Sequence, residues 1–185
     1  MARTPTTQIP LGFKAPDFNL QNVIDNKSVS LKDVAKKNGL VVMFICNHCP
    51  FVVHVMDQII ALANDFLKKD IGFVAISSND IVNYPDDSPE KMKELATEKN
   101  FPFPYLYDES QKVAKNYDAA CTPDFSVFNK HLSCIYRGQL DGARPGNDIK
   151  NDGKDLRKVL SYVLQEKELD FDQLPSIGCN IKWKK

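Results

Sequence analysis

The sequence predicts an α/β domain with a mixed central sheet, helices on both faces of that sheet and a β-hairpin as an N-terminal extension. Two short apolar segments, 40–45 and 71–76, have the length and composition of strands buried on both faces. An amphipathic helical segment separates them, so we expect a right-handed crossover that makes the two strands parallel neighbours. Segments 124–128 and 133–137 alternate polar and apolar residues, which indicates an antiparallel hairpin and makes the sheet mixed.

The region before the first buried strand predicts a hairpin and a short helix. Segments 17–20 and 28–31 alternate polar and apolar residues around the turn sequence Asp25-Asn26-Lys27. Ser30 can cap a short helix that ends near Gly39. We therefore expect the hairpin to precede the central sheet as its extension.

A long helix is predicted to begin at Pro50, which a helix tolerates in its first turn. Apolar side chains recur at steps of three and four along one side, and polar side chains occupy the other. The apolar side comprises Val52, Val55, Met56, Ile59, Ala63 and Phe66. This helix is expected to form the crossover between the two buried strands.

Three further helices are predicted in the second half of the chain. Ser88 is a suitable N-cap and Pro89 a suitable first residue for one of them. Segments 111–117 and 154–165 predict the other two. Segment 101–107 contains two prolines, which lack the N–H group that an interior strand needs, so we expect it at an edge of the sheet.

The 185 residues fit a single domain. We expect an extended arm over residues 1–12, a core over 13–165 and a tail over 166–185. With 43% apolar and 26% charged residues, the chain can bury a core without disulfide staples. The chain has 24 Lys and Arg residues and 24 Asp and Glu residues, so its formal net charge is zero. It therefore lacks the excess of positive charge that nucleic-acid binding needs.

The sequence given predicts neither a secretory signal nor a membrane span. A secretory signal needs a run of apolar residues after its basic residues, and the arginine within the first seven residues is not followed by such a run. The most apolar stretch, 40–45, is far too short to cross a bilayer. We therefore expect a cytoplasmic protein without a membrane partner.

The five cysteines lie at positions 46, 49, 121, 134 and 179. Their number is odd, and they lack the dense spacing of a secreted disulfide scaffold. Only Cys46 and Cys49 are close in sequence. In a reducing compartment such a pair indicates redox chemistry or metal binding rather than a structural staple.

The motif Cys46-Asn47-His48-Cys49 lies where a buried strand meets the start of the long helix. A helix N-terminus presents unpaired N–H groups and a partial positive charge, which favour the reactive thiolate over the thiol. One sulfur can then attack a disulfide, and the other can resolve the mixed disulfide. An imidazolium at His48 would stabilise a neighbouring thiolate further.

Two other interpretations of the pair stay open: half of a zinc site, or two unreactive cysteines. A structural zinc site needs four protein ligands. The sequence has no second Cys-x-x-Cys and no His-x-x-x-His to supply them. We therefore expect no metal.

The second feature that indicates redox chemistry is Thr122-Pro123, which precedes a strand of alternating polar and apolar residues. Together with an upstream Cys-x-x-Cys in this order of elements, it predicts a cis proline that faces the redox pair. The backbone of residue 122 would then be free to bind an extended peptide or a thiol partner.

These motifs together resemble the peroxiredoxin-like branch of the thioredoxin superfamily, the group with alkyl hydroperoxide reductase and thiol-specific antioxidant domains. The matching pieces are Ala15-Pro16-Asp17-Phe18, Val29-Ser30-Leu31-Lys32-Asp33, Cys46-Asn47-His48-Cys49-Pro50, Cys121-Thr122-Pro123-Asp124, Tyr136-Arg137-Gly138 and Ile177-Gly178-Cys179-Asn180-Ile181-Lys182-Trp183. The resemblance implies a thioredoxin-like fold and an oxidoreductase without a bound organic cofactor. It also implies a thioredoxin- or glutathione-type reductant as partner.

The chain departs from the peroxiredoxin pattern at the residues that polarise a peroxide. If Cys49 matches the peroxidatic cysteine, Cys46 fills the position of the family's Thr or Ser, and Val42 that of its Pro. The family's Arg before the hairpin strand is also missing, because residues 120–123 read Ala-Cys-Thr-Pro. Since such groups stabilise the reacting oxygen electrostatically, we expect peroxide reduction to be inefficient.

Cys121 and Cys179 are candidates for additional redox thiols. Cys121, two residues before Pro123, is either a third thiol near the pair or a small buried residue. Cys179, in the tail, either resolves a sulfenate, pairs with another subunit or is a packed thiol. Cys134 falls in a strand, and we expect it in the core.

Two interpretations concern charged residues outside the motif. Arg137 follows a strand, and we expect it to pair with Asp141. The run 86–90 reads Asp-Asp-Ser-Pro-Glu, which is typical of an acidic first turn of a helix rather than of a metal site.

Three functional hypotheses follow. The first is a thiol–disulfide oxidoreductase with an antioxidant role, which cycles Cys46 and Cys49 between dithiol and disulfide and acts on protein or small-molecule thiols and disulfides. By analogy with thioredoxin, Cys46 attacks, being nearer the exposed helix tip, and Cys49 resolves. The peroxiredoxin alignment reverses these roles and makes Cys49 peroxidatic. The third hypothesis is a non-enzymatic redox sensor or binding module on the same fold.

Overall fold

The computed structural model describes residues 3–185 of the chain. Its strands are β1 (Arg3–Pro5), β2 (Asn19–Asn22), β3 (Ser28–Ser30), β4 (Gly39–Phe44), β5 (Ile71–Ser77), β6 (Tyr105–Tyr107), β7 (Cys121–Thr122), β8 (Asp124–Asn129), β9 (Cys134–Gly138) and β10 (Ile177–Asn180). Its helices are α1 (Leu31–Val34), α2 (Pro50–Leu67), α3 (Pro89–Glu98), α4 (Lys112–Asn116) and α5 (Lys154–Leu164), with a 3₁₀ turn at Pro85–Asp87. None of these helices is long and apolar enough to span a membrane.

The buried strands β4 and β5 lie side by side at the centre of the main sheet. Backbone hydrogen bonds from Asn38 N to Asp70 O (2.9 Å) and from Ile45 N to Ile76 O (3.0 Å) join their matching ends, so they run parallel, as predicted. The sheet continues from β5 through β6 and β2 to β3, and from β4 through β8 to β9. β4, β8 and β9 pair antiparallel, which makes the sheet mixed.

Apolar side chains are buried on both faces of the sheet, and β4 supplies both cores. Val41 and Met43 pack with α2, α3 and α5 on one face. Leu40 and Val42 pack with α1 and α4 on the other. This alternation follows from the period of two along a strand and confirms the predicted helices on both faces.

The predicted helix starts are confirmed, because their local signals are strong, but the predicted end of the first helix near Gly39 was wrong, since α1 ends at Val34. The long helix begins at Pro50 directly after its N-cap Cys49. Ser88 caps α3, and its side chain accepts a hydrogen bond from the backbone N–H of Lys91. Ser30 forms a capping box at the start of α1.

The prediction that segment 101–107 lies at an edge of the sheet was wrong. Strand β6 lies between β2 and β5, with Tyr105 and Leu106 fully buried. The prolines precede the strand, so they withhold no N–H from it. The carbonyl of Pro104 accepts a hydrogen bond from Ala75 N at 3.0 Å, which brings the chain into the sheet.

A second, three-stranded sheet joins the two ends of the described chain, which the sequence did not predict. Strand β10 lies between β1 and β7 and pairs antiparallel with both. In this register Cys179 lies opposite Arg3 on one side and Thr122 on the other. The tail is thereby held against the loop that precedes β8.

The prediction that Arg137 pairs with Asp141 was also wrong. The buried guanidinium points inward from β9, lies 3.6 Å from the carboxylate of Asp124 and donates to three backbone carbonyls. Those carbonyls belong to Thr7, Tyr117 and Asp118. Asp141 instead accepts hydrogen bonds from the backbone N–H groups before α5. Arg137 therefore binds acceptors that are distant in sequence and does not pair with the nearby carboxylate of Asp141.

Candidate redox site

Cys46 and Cys49 lie between the end of β4 and the start of α2. Cys46 follows the last residue of β4 by two positions, and Cys49 is the N-cap of α2. Both are buried, with 1% and 0% of their surface exposed. The expectation that Cys46 lies nearer an exposed helix tip is therefore wrong, because the loop of residues 46–49 is folded against the protein.

The predicted proline loop faces both sulfurs. The Thr122–Pro123 peptide bond is cis. The Sγ of Cys46 lies 3.3 Å from the hydroxyl oxygen of Thr122, and the thiol of Cys49 donates to the Thr122 carbonyl at 3.1 Å. The backbone of Thr122 is not free for an extended partner, because β10 of the same chain pairs with it.

A third sulfur lies against the pair. The Sγ atoms of Cys49 and Cys179 are 2.8 Å apart, with both residues buried. The structure thus brings together three of the cysteines singled out in the sequence.

The two remaining cysteines contact backbone carbonyls instead. The sulfur of Cys121 lies 3.6 Å from the carbonyl oxygen of Pro123, and that of Cys134 lies 3.4 Å from the carbonyl oxygen of Tyr136. Burial raises the pKa of both thiols, that of Cys134 to about 12. Cys134 is in the core, as expected. A redox role for Cys121 stays a prediction.

The site favours a thiolate at Cys49. A hydrogen bond from Cys46 is the largest cause, and further hydrogen bonds from Cys179 and Thr122 act in the same direction, lowering the pKa of Cys49 from 9.0 to about 5. Burial acts against the charge. The Thr122 carbonyl also favours the thiol, since it can only accept. With the backbone N–H of Val52, four donors outweigh burial and this acceptor.

The neighbours of Cys49 are held as thiols. The hydrogen bond to Cys49 is the largest cause that raises the pKa of Cys46, and burial and the negative charge of Asp87 add to it. Burial and the contact with Cys49 raise the pKa of Cys179 to about 12. The surroundings of the three sulfurs therefore favour ionisation of Cys49 over that of either neighbour.

Asp87 is a residue of the site that the sequence analysis missed. It lies in the 3₁₀ turn before α3 and is fully buried, so its assignment to an acidic first turn of α3 was wrong. Its carboxylate accepts hydrogen bonds from the backbone N–H groups of Asn47 (2.8 Å) and His48 (3.3 Å) and from the amide of Asn79 (2.7 Å). It therefore fixes the two residues between the cysteines. A separation of about forty residues gives no sequence signal for this contact.

His48 is oriented by the same carboxylate. Its Nδ1 lies 2.6 Å from Asp87 and must carry the proton of that hydrogen bond, because an ionised carboxylate only accepts. The ring stacks on Tyr84, with centroids 5.5 Å apart and planes 12° from parallel. The imidazole is thus a fixed polar group at the partly exposed rim of the site.

Cys46, His48 and Asp87 are the described residues that could hold a metal here. Their potential ligand atoms lie within 4.8 Å of one another. However, the Asp87 carboxylate already accepts the hydrogen bonds that hold the loop, and a structural zinc site requires a fourth protein ligand. The arrangement fits a hydrogen-bonded redox loop better than a metal centre.

A cavity elsewhere in the described chain is a separate feature. It has a volume of about 670 Å³, and its lining includes Leu11, Asn38, His131 and Leu169. Neither Cys46 nor Cys49 lines it, and both of these cysteines are buried.

Asp87→Ala should destabilise the reduced protein by about 3 kcal/mol, because several buried donors would lose their acceptor and each unsatisfied donor costs about 1–3 kcal/mol. Asp86→Ala is the matched control: this neighbour is exposed, and its change should stay within about 0.5 kcal/mol. Urea unfolding measures both. Equal effects of the two substitutions would contradict the anchoring role of Asp87.

Titration of the reduced protein, followed by ultraviolet thiolate absorbance, should show one cysteine that ionises near pH 5. Cys46→Ala removes the strongest donor to Cys49, so the midpoint should rise toward the ordinary value of 9.0. Cys134→Ala, a control in β9, should leave it unchanged. A wild-type midpoint near 9 would overturn the assignment.

The same lowered pKa gives the reduced protein a pH-dependent stability. Because the folded state lowers the pKa of Cys49 from 9.0 to about 5, its contribution is complete above pH 9 and is lost as the pH falls through 5. Urea unfolding between pH 5 and 8 should therefore show a smaller stability gain with pH in Cys49→Ala than in Cys134→Ala. An identical gain in the two variants would contradict it.

Comparisons with known proteins agree with this geometry. The Redoxin family matches residues 10–156. An uncharacterized conserved protein from Geobacillus kaustophilus is 54% identical, with a TM-score of 0.97, over 100% of this chain and 97% of that chain. A hypothetical protein from Sinorhizobium meliloti 1021 is 40% identical, with a TM-score of 0.95, over 98% of each chain. None of the curated proteins matches.

A more distant structure shows the fold. The thioredoxin domain of a thiol-disulfide oxidoreductase from Bacteroides vulgatus is 17% identical, with a TM-score of 0.62, over 83% of this chain and 99% of that chain. The Redoxin match covers most of the sequence and includes Cys46, Cys49 and Thr122-Pro123. It supports an oxidoreductase of thiol chemistry and confirms the resemblance stated from the motifs. With its thioredoxin-like fold, this chain belongs to the Redoxin family.

Proposed function

We propose that the chain is a thiol–disulfide oxidoreductase that cycles Cys46 and Cys49 between a dithiol and a disulfide. The observation that supports this most strongly is that both sulfurs lie against Thr122, at 3.3 Å and 3.1 Å, in surroundings that lower the pKa of Cys49 and raise that of Cys46. A charged sulfur beside a neutral one is the arrangement that thiol–disulfide exchange requires.

The charge distribution favours Cys49 as the attacking sulfur. Its thiolate attacks one sulfur of a substrate disulfide, forms a mixed disulfide and releases the other substrate sulfur as a thiolate. Cys46 then loses its proton and attacks the Sγ of Cys49, which releases the second substrate thiol and forms the Cys46–Cys49 disulfide. The thioredoxin analogy would exchange these two roles.

The surrounding residues act as positioning groups in this proposal. The Thr122 hydroxyl, 3.3 Å from the Cys46 sulfur, orients that thiol toward Cys49. Pro123 shapes the loop that presents this hydroxyl. His48, whose Nδ1 lies 2.6 Å from the Asp87 carboxylate, holds its place between the two cysteines and is partly exposed.

A thiol peroxidase is the second candidate, because a thiolate at Cys49 is also what a peroxide needs. The Cys49 thiolate would attack one peroxide oxygen and release the alcohol or water, and Cys46 would condense with the sulfenate to give the disulfide and water. Arg137 does not assist this chemistry, since its guanidinium is bound to backbone carbonyls next to Asp124.

The proposed setting is the cytoplasm, with protein or small-molecule disulfides as substrates and a thioredoxin- or glutathione-type reductant as electron donor. An odd number of cysteines without scaffold spacing supports a reducing compartment. In this setting the cycle would serve redox homeostasis as an antioxidant activity.

Reduction of insulin disulfides by the protein, driven by a thiol reductant, tests the first candidate. Cys49→Ser removes the attacking sulfur, and Cys46→Ser combined with Cys179→Ala removes both thiols beside it, so each variant should lower the rate by about a hundredfold or more. Cys134→Ala should retain the wild-type rate. A pair that oxidises reversibly but never turns over with a reductase would contradict the proposal and favour a redox sensor.

Cys46→Ser combined with Cys179→Ala separates the two enzymatic candidates, because the double variant leaves Cys49 without either neighbouring thiol. If this variant traps a protein disulfide as a stable mixed disulfide at Cys49, the oxidoreductase is supported. If it forms a sulfenic acid at Cys49 with hydrogen peroxide and traps no protein disulfide, the peroxidase replaces it. A sulfenate-specific label and mass spectrometry measure both products.

A further inference from the structure

Cys179 is placed at the redox pair by backbone pairing on both sides of its strand. In β10 it lies opposite Thr122 of β7 and opposite Arg3 of β1. The preceding residue, Gly178, allows a close approach: a Cβ at this position would lie 1.9 Å from the carbonyl oxygen of Thr122. The main chain therefore fixes the position of the Cys179 sulfur.

Cys49 is the common partner of two thiols. It takes a hydrogen bond from Cys46 on one side and lies 2.8 Å from the Cys179 sulfur on the other. These contacts place both thiols within reach of the same sulfur without a rearrangement of the backbone. The Redoxin match ends at residue 156, and the contact between Cys179 and Cys49 is an observation of this structure.

We propose that Cys179 is a third redox thiol, and that the disulfide of this site moves between Cys46–Cys49 and Cys49–Cys179. This inference rests on the proposed oxidation of the Cys46–Cys49 pair. The Cys179 thiol loses its proton and attacks the Sγ of Cys49, the Cys46–Cys49 bond breaks, and Cys46 leaves as a thiolate that takes up a proton. The exchange involves no net oxidation or reduction.

The exchange gives the oxidised protein two forms with different reactive thiols. With Cys49 bonded to Cys46, the tail carries a thiol. With Cys49 bonded to Cys179, β10 is tied covalently to the start of α2, and Cys46 is released for reaction with a reductant or a substrate. Cys179 also gives an oxidised Cys49 a resolving partner when Cys46 is absent.

The test oxidises the reduced Cys46→Ala variant with glutathione disulfide, which takes up two electrons and leaves as two glutathione thiols. After acid quenching, alkylation and tryptic digestion, Cys49 lies in peptide 38–68 and Cys179 in peptide 168–182. We expect a disulfide between these two peptides, detected by mass spectrometry without reduction. Glutathione held at Cys49 with no peptide cross-link would overturn the inference.

Two double variants control the assignment. Cys46→Ala with Cys179→Ala should lose the cross-link completely. Cys46→Ala with Cys121→Ala, which removes a neighbouring buried thiol of β7, should keep it. A cross-link of peptide 38–68 to peptide 116–130, which contains Cys121, in place of peptide 168–182 would contradict the proposal.

A further measurement uses the wild-type protein, so its result does not depend on whether a variant folds. Equilibrated in a glutathione buffer, it should yield both peptide 38–68 with an internal disulfide and the cross-linked pair of peptides. Cys179→Ala should lose only the second product. The internal disulfide without any cross-link would refute the third thiol and leave the proposed function intact, whereas the cross-link without the internal disulfide would refute the Cys46–Cys49 cycle.

Discussion

The contact of the Cys49 sulfur with its hydrogen-bond donors is the interaction on which the site depends. Cys49 is the N-cap of α2, so the strand before it, the helix after it and the proline loop opposite all determine where its sulfur lies. A buried sulfur without donors would stay a thiol, because burial disfavours the charged form. The donors Cys46, Cys179 and Thr122 reverse that preference.

The Asp87 carboxylate gives this arrangement its rigidity and its charge asymmetry. It binds the backbone of Asn47 and His48, and its negative charge helps to keep Cys46 protonated while Cys49 ionises. One buried group thereby holds the loop and helps to make the pKa values of two cysteines differ, although they are only three residues apart. A merely structural loop would not require a charged anchor, since backbone N–H groups also pair with neutral acceptors.

The two ends of the described chain complete the site. Strand β10 pairs with the loop strand β7 and brings a third sulfur to Cys49, while β1 covers the outer edge of β10. This pairing occupies the backbone edge at Thr122 that a substrate peptide would otherwise use. That strand edge is therefore closed to a partner, whereas Asn47 and His48, between the two buried cysteines, are partly exposed.

The sequence by itself determined the central fold and the position of the two cysteines of the candidate site. Apolar runs gave β4 and β5, a helical period gave α2, and Cys46, Cys49 and Thr122-Pro123 marked the site, because each of these signals is local. Only the tertiary structure decided that Asp87 anchors the motif, that β6 is interior, that Arg137 binds carbonyls, and that Cys179 meets Cys49. These contacts join segments separated by up to 130 residues, and long-range pairing leaves no periodic or local signal in the chain.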